Sequence, residues 1–353
     1  MIQQEYLDAI CALHGKTIAI VYIYANDDAK GYGHYDIWGS DLISDWVQAV
    51  GELRCVPLIL DARTFVHKAM NKSLPVIDFV VNLNNGNIDI STLGLVPSTS
   101  AFLGIPCIPG NAVATLTGEN KLISNLVAFA KHLNVPKELD FSSPYGISRP
   151  IAYGSSIDVK KGPLNFDNHY CEDYNHKILY QEFISGVDMT TPIIFNPLLN
   201  ELDVLPAIMY YPKNGNPEWF LGEVEKSSHE GYEKKAVRVS TEVKKYYQDF
   251  ARTMGIDTYC RIDARVKCTD EADIIALLNR PVEFEEIFFL EINPMPTIKS
   301  GINFHTSILS LKDDDHFFKC KDLYWNNIHN PTVNGLVLSC AMLAHTIPKY
   351  GKL

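Results

Sequence analysis

The stretch Phe289-Leu290-Glu291-Ile292-Asn293-Pro294-Met295-Pro296 places two oxygen-bearing side chains at the end of an apolar run. Side chains two residues apart on a β-strand point to the same face, so Glu291 and Asn293 are predicted to project side by side. A second carboxylate, Asp263, lies upstream in Arg261-Ile262-Asp263. Carboxylate and amide oxygens are ligands that Mg²⁺ accepts when it also holds phosphate. The same residues also fit a buried strand followed by an ordinary Asn-Pro turn.

The composition is that of a soluble globular protein of two or three domains. The chain has 353 residues, of which 46% are hydrophobic and 21% charged, and this length allows a substantial core. The net charge of -11 argues against a nucleic-acid-binding protein, which needs clustered Lys and Arg. The eight cysteines form no CxxC pair or zinc pattern, which fits a reducing compartment. We find no signal peptide pattern and no membrane-length apolar run, so we expect a cytoplasmic protein without membrane partners.

Predicted strands and helices alternate through the first third of the chain. Apolar runs predict strands at 16–24, 56–60 and 77–83. The pattern between the first two predicts a helix at 40–50 that stops at Gly51. Such alternation is typical of a doubly wound α/β domain with a parallel sheet.

The remainder of the sequence predicts α+β structure. A short strand at 101–109 and a helix at 119–133 lead into a small unit with an antiparallel sheet at 141–184. A polar loop is predicted at 223–233, and the last part of the chain combines strands predicted at 191–195, 261–266 and 287–292 with a helix at 241–254. The predicted fold class is therefore α/β and α+β.

Three cations and one small-residue loop precede the acidic segment. In Gly154-Ser155-Ser156, small residues let backbone N–H groups approach a phosphate, and the same letters also fit an ordinary turn. Lys121, Arg149 and Lys226 supply positive charges of the kind that a triphosphate needs. Taken singly, each cation also fits a solvated surface residue.

The segment Gln181-Glu182-Phe183-Ile184-Ser185-Gly186 ends one predicted strand and turns into the next. Free backbone groups on such a segment can bind the edge of an adenine. The carboxylate of Asp188, two residues further on, can accept hydrogen bonds from ribose hydroxyls. A plain hairpin with a Ser-Gly turn fits the same letters.

Taken in order, these segments resemble the ATP-grasp superfamily, and within it the D-alanine–D-alanine ligase group. The resemblance covers roughly residues 75–310 and rests on the order and spacing of the motifs. It implies an ATP-grasp fold behind an N-terminal doubly wound preATP-grasp domain. The expected division is an N-terminal domain at 1–113, a small central subdomain at 114–180 and a C-terminal subdomain with the metal site at 181–353.

The resemblance also implies roles for the matched residues. Asp263, Glu291 and Asn293 would hold Mg²⁺, with two ions expected and Mn²⁺ as a substitute. Arg261 and Lys226 would act in catalysis. The family usually has lysine at the Arg149 position, which keeps the charge but changes the donor geometry. The implied ATP contacts are Lys121, Arg149, Gly154, Ser155, Ser156, Gln181, Glu182, Phe183, Ile184, Asp188 and Lys226.

The sequence departs from the ligases where their substrates bind. Their Ser-x-Glu signature, whose Glu holds the amine of the first D-alanine, is replaced here by the segment 25–34, which contains no Glu. The segment that follows Asn293 differs as well. We therefore expect a substrate other than D-alanine. The residues expected to select it are Lys299, Ser300, Asn303, Tyr32 and His34.

The reaction that the resemblance implies joins a small-molecule carboxylate to an amine. ATP is converted to ADP through an acyl phosphate, and the product is an amide. Two alternatives stay open: an ATP-grasp ligase or carboxylase with another nucleophile, and a non-catalytic nucleotide-binding regulatory protein. The motifs do not identify the acid, the amine or the oligomeric state, for which a homodimer is one option.

Overall fold

The computed structural model of the chain describes residues 3–23, 40–84, 90–140, 143–152, 154, 156, 158–164, 170–171 and 176–347. The helices are α1 (Gln3–Cys11), α2 (Ser40–Glu52), α3 (Ala62–Met70), α4 (Leu95–Phe102), α5 (Ala112–Glu119), α6 (Lys121–Ala130), α7 (Glu223–Ser228), α8 (Thr241–Thr253), α9 (Glu271–Leu277), α10 (Asn303–Leu309), α11 (Phe318–Asn327) and α12 (Val333–Thr346), with 3-10 turns at Ile90–Gly94 and Phe284–Glu286. The strands are β1 (Thr17–Tyr22), β2 (Val56–Asp61), β3 (Phe79–Leu83), β4 (Cys107–Ile108), β5 (Tyr145–Pro150), β6 (Lys160–Pro163), β7 (Tyr170–Cys171), β8 (His176–Gln181), β9 (Gly186–Asn196), β10 (Glu201–Val204), β11 (Ala207–Pro212), β12 (Tyr232–Val237), β13 (Tyr259–Lys267) and β14 (Ile287–Asn293).

The first sheet is parallel and has the strand order β2-β1-β3-β4. The four central residues of β1 are all buried, as expected for a strand covered on both faces. Helix α2 buries Leu42, Trp46, Ala49 and Val50, a spacing that forms one apolar stripe along the helix. These features confirm the predicted doubly wound domain.

The largest differences from the sequence prediction occur in four places. Helix α2 continues through Gly51 to Glu52 and does not stop at the glycine. Only Cys107–Ile108 of the strand predicted at 101–109 is extended, because its first two residues end α4. The helix predicted at 119–133 is α6, which spans only Lys121–Ala130, since Asn120 leaves the helical conformation and its side chain accepts from Ile123 N, 3.1 Å away. The loop predicted at 223–233 contains α7.

The second sheet is small and antiparallel, with the strand order β6-β5-β8-β7. The third sheet is antiparallel and larger, with the order β12-β11-β9-β13-β14 and β10 paired to β9. These two sheets confirm the α+β part of the predicted fold class.

The third sheet has one apolar and one polar face. On β13, buried Ile262, Ala264 and Val266 alternate with Arg261, Asp263 and Arg265, as expected from the two-residue repeat of a strand. The apolar face packs on α8 through a core that includes Tyr247 and Phe250. The polar face therefore becomes the floor of a cleft.

Helix α12 packs between helix α2, which covers the first sheet, and strand β9 of the third sheet. All residues from Val333 to Ala344 are buried, and the helix contacts both α2 and β9. A helix that is apolar on every side is stable only when it is enclosed on every side. None of the helices in the described part of the chain is both long and apolar enough to cross a membrane.

Candidate active site

A cavity of about 380 Å³ is lined by residues of the second and third sheets, the start of α6 and the loop before α7. The structure brings most of the sequence-predicted residues together here. Lys299 and Ser300 are exposed and do not belong to the lining. Ser155, Tyr32 and His34 lie outside the described residues. The predicted residues that line the cavity are Lys121, Arg149, Gly154, Ser156, Gln181, Glu182, Phe183, Ile184, Asp188, Lys226, Arg261, Asp263, Glu291, Asn293 and Asn303.

Glu291 is surrounded by cations. Lys121 Nζ lies 3.3 Å from Glu291 Oε2. Burial by itself would raise the pKa of Glu291, but the positive charges of Lys121, Arg149, Lys226 and Arg261 outweigh burial and lower that pKa to about 2. The carboxylate is therefore ionised at neutral pH. The negative charge of Glu291 offsets the mutual repulsion of these four cations, which are the ones that a bound anion would contact.

A β-bulge positions Arg149. Asp263 pairs with Glu291 across the sheet, but the next residue, Ala264, pairs with Phe289, which leaves Leu290 without an opposite residue. The Leu290 carbonyl accepts from Arg149 Nη2, 3.3 Å away, and the same nitrogen donates to Gln181 Oε1 at 2.7 Å. Arg149 Nε finds no partner among the described residues. Burial lowers the pKa of Arg149, and the negative charges of Glu291 and Asp188 oppose that shift.

Asp263 is held from its own strand and from β9. Arg261 donates from Nε to Asp263 Oδ1 at 2.9 Å and from Nη2 to Oδ2 at 2.7 Å. Thr190, the cross-strand partner of Asp263, donates its hydroxyl to Oδ1. Burial would lower the pKa of Arg261, but the paired carboxylate outweighs burial and raises it. Arg261 is therefore a permanent cation on the cleft floor.

The oxygen donors predicted to hold a metal lie on adjacent strands. Asp263 is the register partner of Glu291, and Arg261 is the register partner of Asn293. The amide oxygen of Asn293 accepts from Met295 N at 2.9 Å, which fixes its orientation. Among the described residues, no group of three or more His, Cys, Asp or Glu side chains is arranged so that it could hold a metal ion by itself. Two carboxylates and one amide fit Mg²⁺, which commonly takes its remaining ligands from water and phosphate.

Helix α7 and Ser156 meet over the cavity. Lys226 Nζ donates to Ser156 Oγ at 2.6 Å, and Ser156 Oγ donates to the Leu221 carbonyl at 3.0 Å. Burial lowers the pKa of Lys226, while the negative charges of Glu291 and Asp263 oppose the shift. Lys226 therefore interacts electrostatically with Glu291 and Asp263 on the cleft floor and also forms a hydrogen bond with Ser156.

The segment that follows β8 lines the other end of the cavity. Glu182 N donates to the Lys137 carbonyl, and Glu182 Oε1 accepts from Lys137 N, both at 2.9 Å. The N–H and side chain of Glu182 are therefore engaged within the protein. The Phe183 ring lies under Lys161, whose Nζ is 3.7 Å from the ring centroid.

The sequence analysis missed three cavity residues whose side chains form hydrogen bonds with predicted site residues. Tyr210 on β11 donates its hydroxyl to Asn303 Oδ1, and burial raises the pKa of Tyr210. Thr190 donates a hydrogen bond to Asp263, and Arg265 donates one to Asp188. Strand alternation could have identified Arg265, because it follows Asp263 by two residues. Tyr210 and Thr190 require the strand register, which the sequence motifs do not supply.

Comparison with solved structures identifies the fold. A D-alanine–D-alanine ligase from Bacillus anthracis in complex with ATP aligns over 94% of this chain and 98% of its own, with a TM-score of 0.60 and 14% identity. A second structure of D-alanine–D-alanine ligase from the same organism aligns over 94% and 99%, with a TM-score of 0.61 and 12% identity. The VanG D-Ala:D-Ser ligase from Enterococcus faecalis aligns over 94% and 100%, with a TM-score of 0.59 and 14% identity.

Comparisons at the sequence level give a different result. No protein-family model matches the chain, and no curated protein matches it. The structural agreement covers nearly the whole of each chain, although the identities are low. This protein therefore has the ATP-grasp fold of the D-alanine–D-alanine ligases.

Proposed function

We propose that this protein is an ATP-dependent ligase that joins a small-molecule carboxylate to an amine and releases ADP and phosphate. The observation that carries the proposal is the convergence of Lys121, Arg149, Lys226 and Arg261 on Glu291. Their four positive charges would neutralise the negative charge of a nucleoside triphosphate. Before the nucleotide binds, the negative charge of Glu291 would neutralise part of this positive charge. The same fold in a ligase solved with ATP supports the assignment.

The proposed catalysis depends on placement and charge. Asp263, Glu291 and Asn293 would hold Mg²⁺, and a bound Mg²⁺ would reduce the charge of the phosphates. Lys121 and Arg149 would bind the α- and β-phosphates, and Lys226 would bind the γ-phosphate. The substrate carboxylate would attack the γ-phosphorus to give an acyl phosphate and ADP. Phosphoryl transfer of this kind requires mainly positioning and electrostatic stabilisation.

The second half-reaction would form the amide bond. An unprotonated amine would attack the acyl carbon, and phosphate would leave as the tetrahedral intermediate collapses. Arg261 is suited to stabilise the negative charge of that intermediate, because Asp263 fixes its guanidinium on the cleft floor. The contact between Ser156 and Lys226 would keep water away from the acyl phosphate.

A phosphate-release screen tests the proposal. The wild-type protein is incubated with Mg²⁺–ATP and pools of amino acids and dipeptides, and phosphate is measured. We expect release to depend on a component of the pool and to be lost in Glu291→Gln. Glu286→Gln is the matched control, because Glu286 pairs with Arg280 and does not line the cavity. ATP binding without release in any pool would favour the alternative of a regulatory nucleotide-binding protein.

A further inference from the structure

Arg265 is a buried cation that the proposed chemistry does not use. It lies on β13 with only 4% of its surface exposed, yet it is part of the cavity lining. It does not belong to the cation cluster whose charges lower the pKa of Glu291. A guanidinium that is this deeply buried needs several acceptors to offset its desolvation.

The acceptors of Arg265 belong to the segments that surround one end of the cavity. Nε donates to the Ile184 carbonyl at 3.0 Å. Nη2 donates to the carbonyls of Gly186 at 2.7 Å, Trp219 at 2.9 Å and Pro217 at 3.4 Å. One side chain thus fixes the turn after β8 against the loop after β11.

The remaining nitrogen of Arg265 holds Asp188. Nη1 donates to Asp188 Oδ2 at 3.0 Å, because the two residues are register partners on β13 and β9. Leu221 N donates to the same oxygen at 2.7 Å. No residue in the described ranges donates to Asp188 Oδ1. The Asp188 carboxylate lines the cavity. Its Oδ2 accepts two hydrogen bonds from the protein, which leaves Oδ1 for a ligand.

The close approach of β9 to β13 is built into the backbone. Gly186 has φ +153°, and a Cβ atom there would lie 2.0 Å from the Val266 carbonyl oxygen. Gly186 N also donates to the Pro217 carbonyl at 2.7 Å. The backbone around Arg265 and Asp188 is therefore held independently of the guanidinium.

We propose that Arg265 is a positioning residue that aims Asp188 Oδ1 at a ribose hydroxyl, so that the protein selects ATP over its deoxyribose analogues. The inference rests on the proposed function, since it concerns the same nucleotide site. A carboxylate with Oδ2 fixed from two sides cannot rotate away from its ligand. A hydrogen bond between a hydroxyl and such a carboxylate is charge-assisted and strong.

The test compares affinities for Mg²⁺–ATP, Mg²⁺–2′-deoxy-ATP and Mg²⁺–3′-deoxy-ATP by titration calorimetry. We expect the wild-type protein to prefer ATP over at least one deoxy analogue by about tenfold or more, the effect of one hydrogen bond to a charged group. Arg265→Met should reduce this ratio to about threefold or less. Asp188→Asn should also reduce it, and combining the two should have little further effect.

Arg238→Met is the control, because Arg238 pairs with Asp314 and Asp315 away from the cavity. It should keep the wild-type ratio. Arg265→Lys is a milder variant, should Arg265→Met not fold, and it too should lose discrimination because an ammonium group lacks the planar fork. Equal loss of affinity for all three nucleotides in a folded Arg265 variant, or an unchanged ratio, would overturn the inference. Failure of the wild-type protein to bind any of them would instead contradict the proposed function.

Discussion

Lys121 and Glu291 form a salt bridge of 3.3 Å across the cleft, between the first residue of α6 and the strand β14. Only 7% of the lysine side chain is exposed. Pairs this buried are sensitive to the loss of one partner, because the remaining charge is left without compensation. The salt bridge joins α6 to β14, the strand that carries the predicted metal ligands Glu291 and Asn293.

Glu291→Gln should abolish ATP turnover and leave the fold intact. The variant keeps the shape of the side chain but removes the charge that faces both the cations and the predicted Mg²⁺. ADP formation and circular dichroism measure the two effects. The control is again Glu286→Gln, which should retain activity. A Glu291→Gln protein that turns over ATP near the wild-type rate would remove Glu291 from the site.

Glu291 should also contribute to the pH dependence of stability. Its pKa is lowered from 4.5 to about 2 in the folded protein. Because the folded pKa lies below the unfolded one, the stabilisation is present above about pH 4.5 and is lost as pH falls toward 2. Urea unfolding across this window should show a shallower pH dependence in Glu291→Gln. Identical slopes in both proteins would indicate that the carboxylate is not held by the cations.

Asp188→Ala should weaken ATP binding by about 1–3 kcal/mol, the cost of losing hydrogen bonds to a charged group. Asp188 lines the cavity beside the turn that follows β8. Calorimetric titration with Mg²⁺–ATP measures the change. Asp314→Ala serves as a control, since Asp314 also pairs with an arginine but does so on the exposed surface. Unchanged affinity in Asp188→Ala would exclude it from nucleotide binding.

The loop that contains Ser156 and the segment that contains α7 and Lys226 should be protected by nucleotide. Their contact joins the two sides of the cleft, so a ligand that lies beneath them should hold them together. Limited proteolysis at both segments should slow when Mg²⁺–ATP is added, and Ser156→Ala should reduce that protection. Cleavage at equal rates with and without Mg²⁺–ATP would contradict the role of a lid.

Much of this arrangement could be predicted from the sequence. The two-residue repeat places Glu291 and Asn293 on one face, and the motif order gives the resemblance that the fold bears out. The contact of Tyr210 with Asn303 could not be predicted, because the two residues are 93 positions apart and meet only through packing. The β-bulge at Leu290 could not be predicted either, since no single residue type specifies where the register of a strand pair shifts. The start of α6 was missed because Asn120, the residue that caps this helix, lies in a polar stretch where the apolar pattern does not mark the boundary.

The product should not be D-alanyl-D-alanine. The segment 25–34 lacks the Glu that the resemblance places against the amine of the first D-alanine. Without that charged partner an α-ammonium group would bind weakly. Incubation with D-alanine as the sole added substrate should give little phosphate release. Strong release together with D-alanyl-D-alanine in the product mixture would show the opposite.

The most direct test of the central claim follows oxygen from the substrate carboxylate to phosphate. The protein is incubated with Mg²⁺–ATP and the active amino-acid pool, whose carboxylates carry ¹⁸O, and the phosphate is analysed by mass spectrometry. An acyl-phosphate ligase transfers one carboxylate oxygen to the phosphate that leaves, so we predict one ¹⁸O in each phosphate formed. Unlabelled phosphate with ADP, or AMP with pyrophosphate, would contradict the proposed reaction.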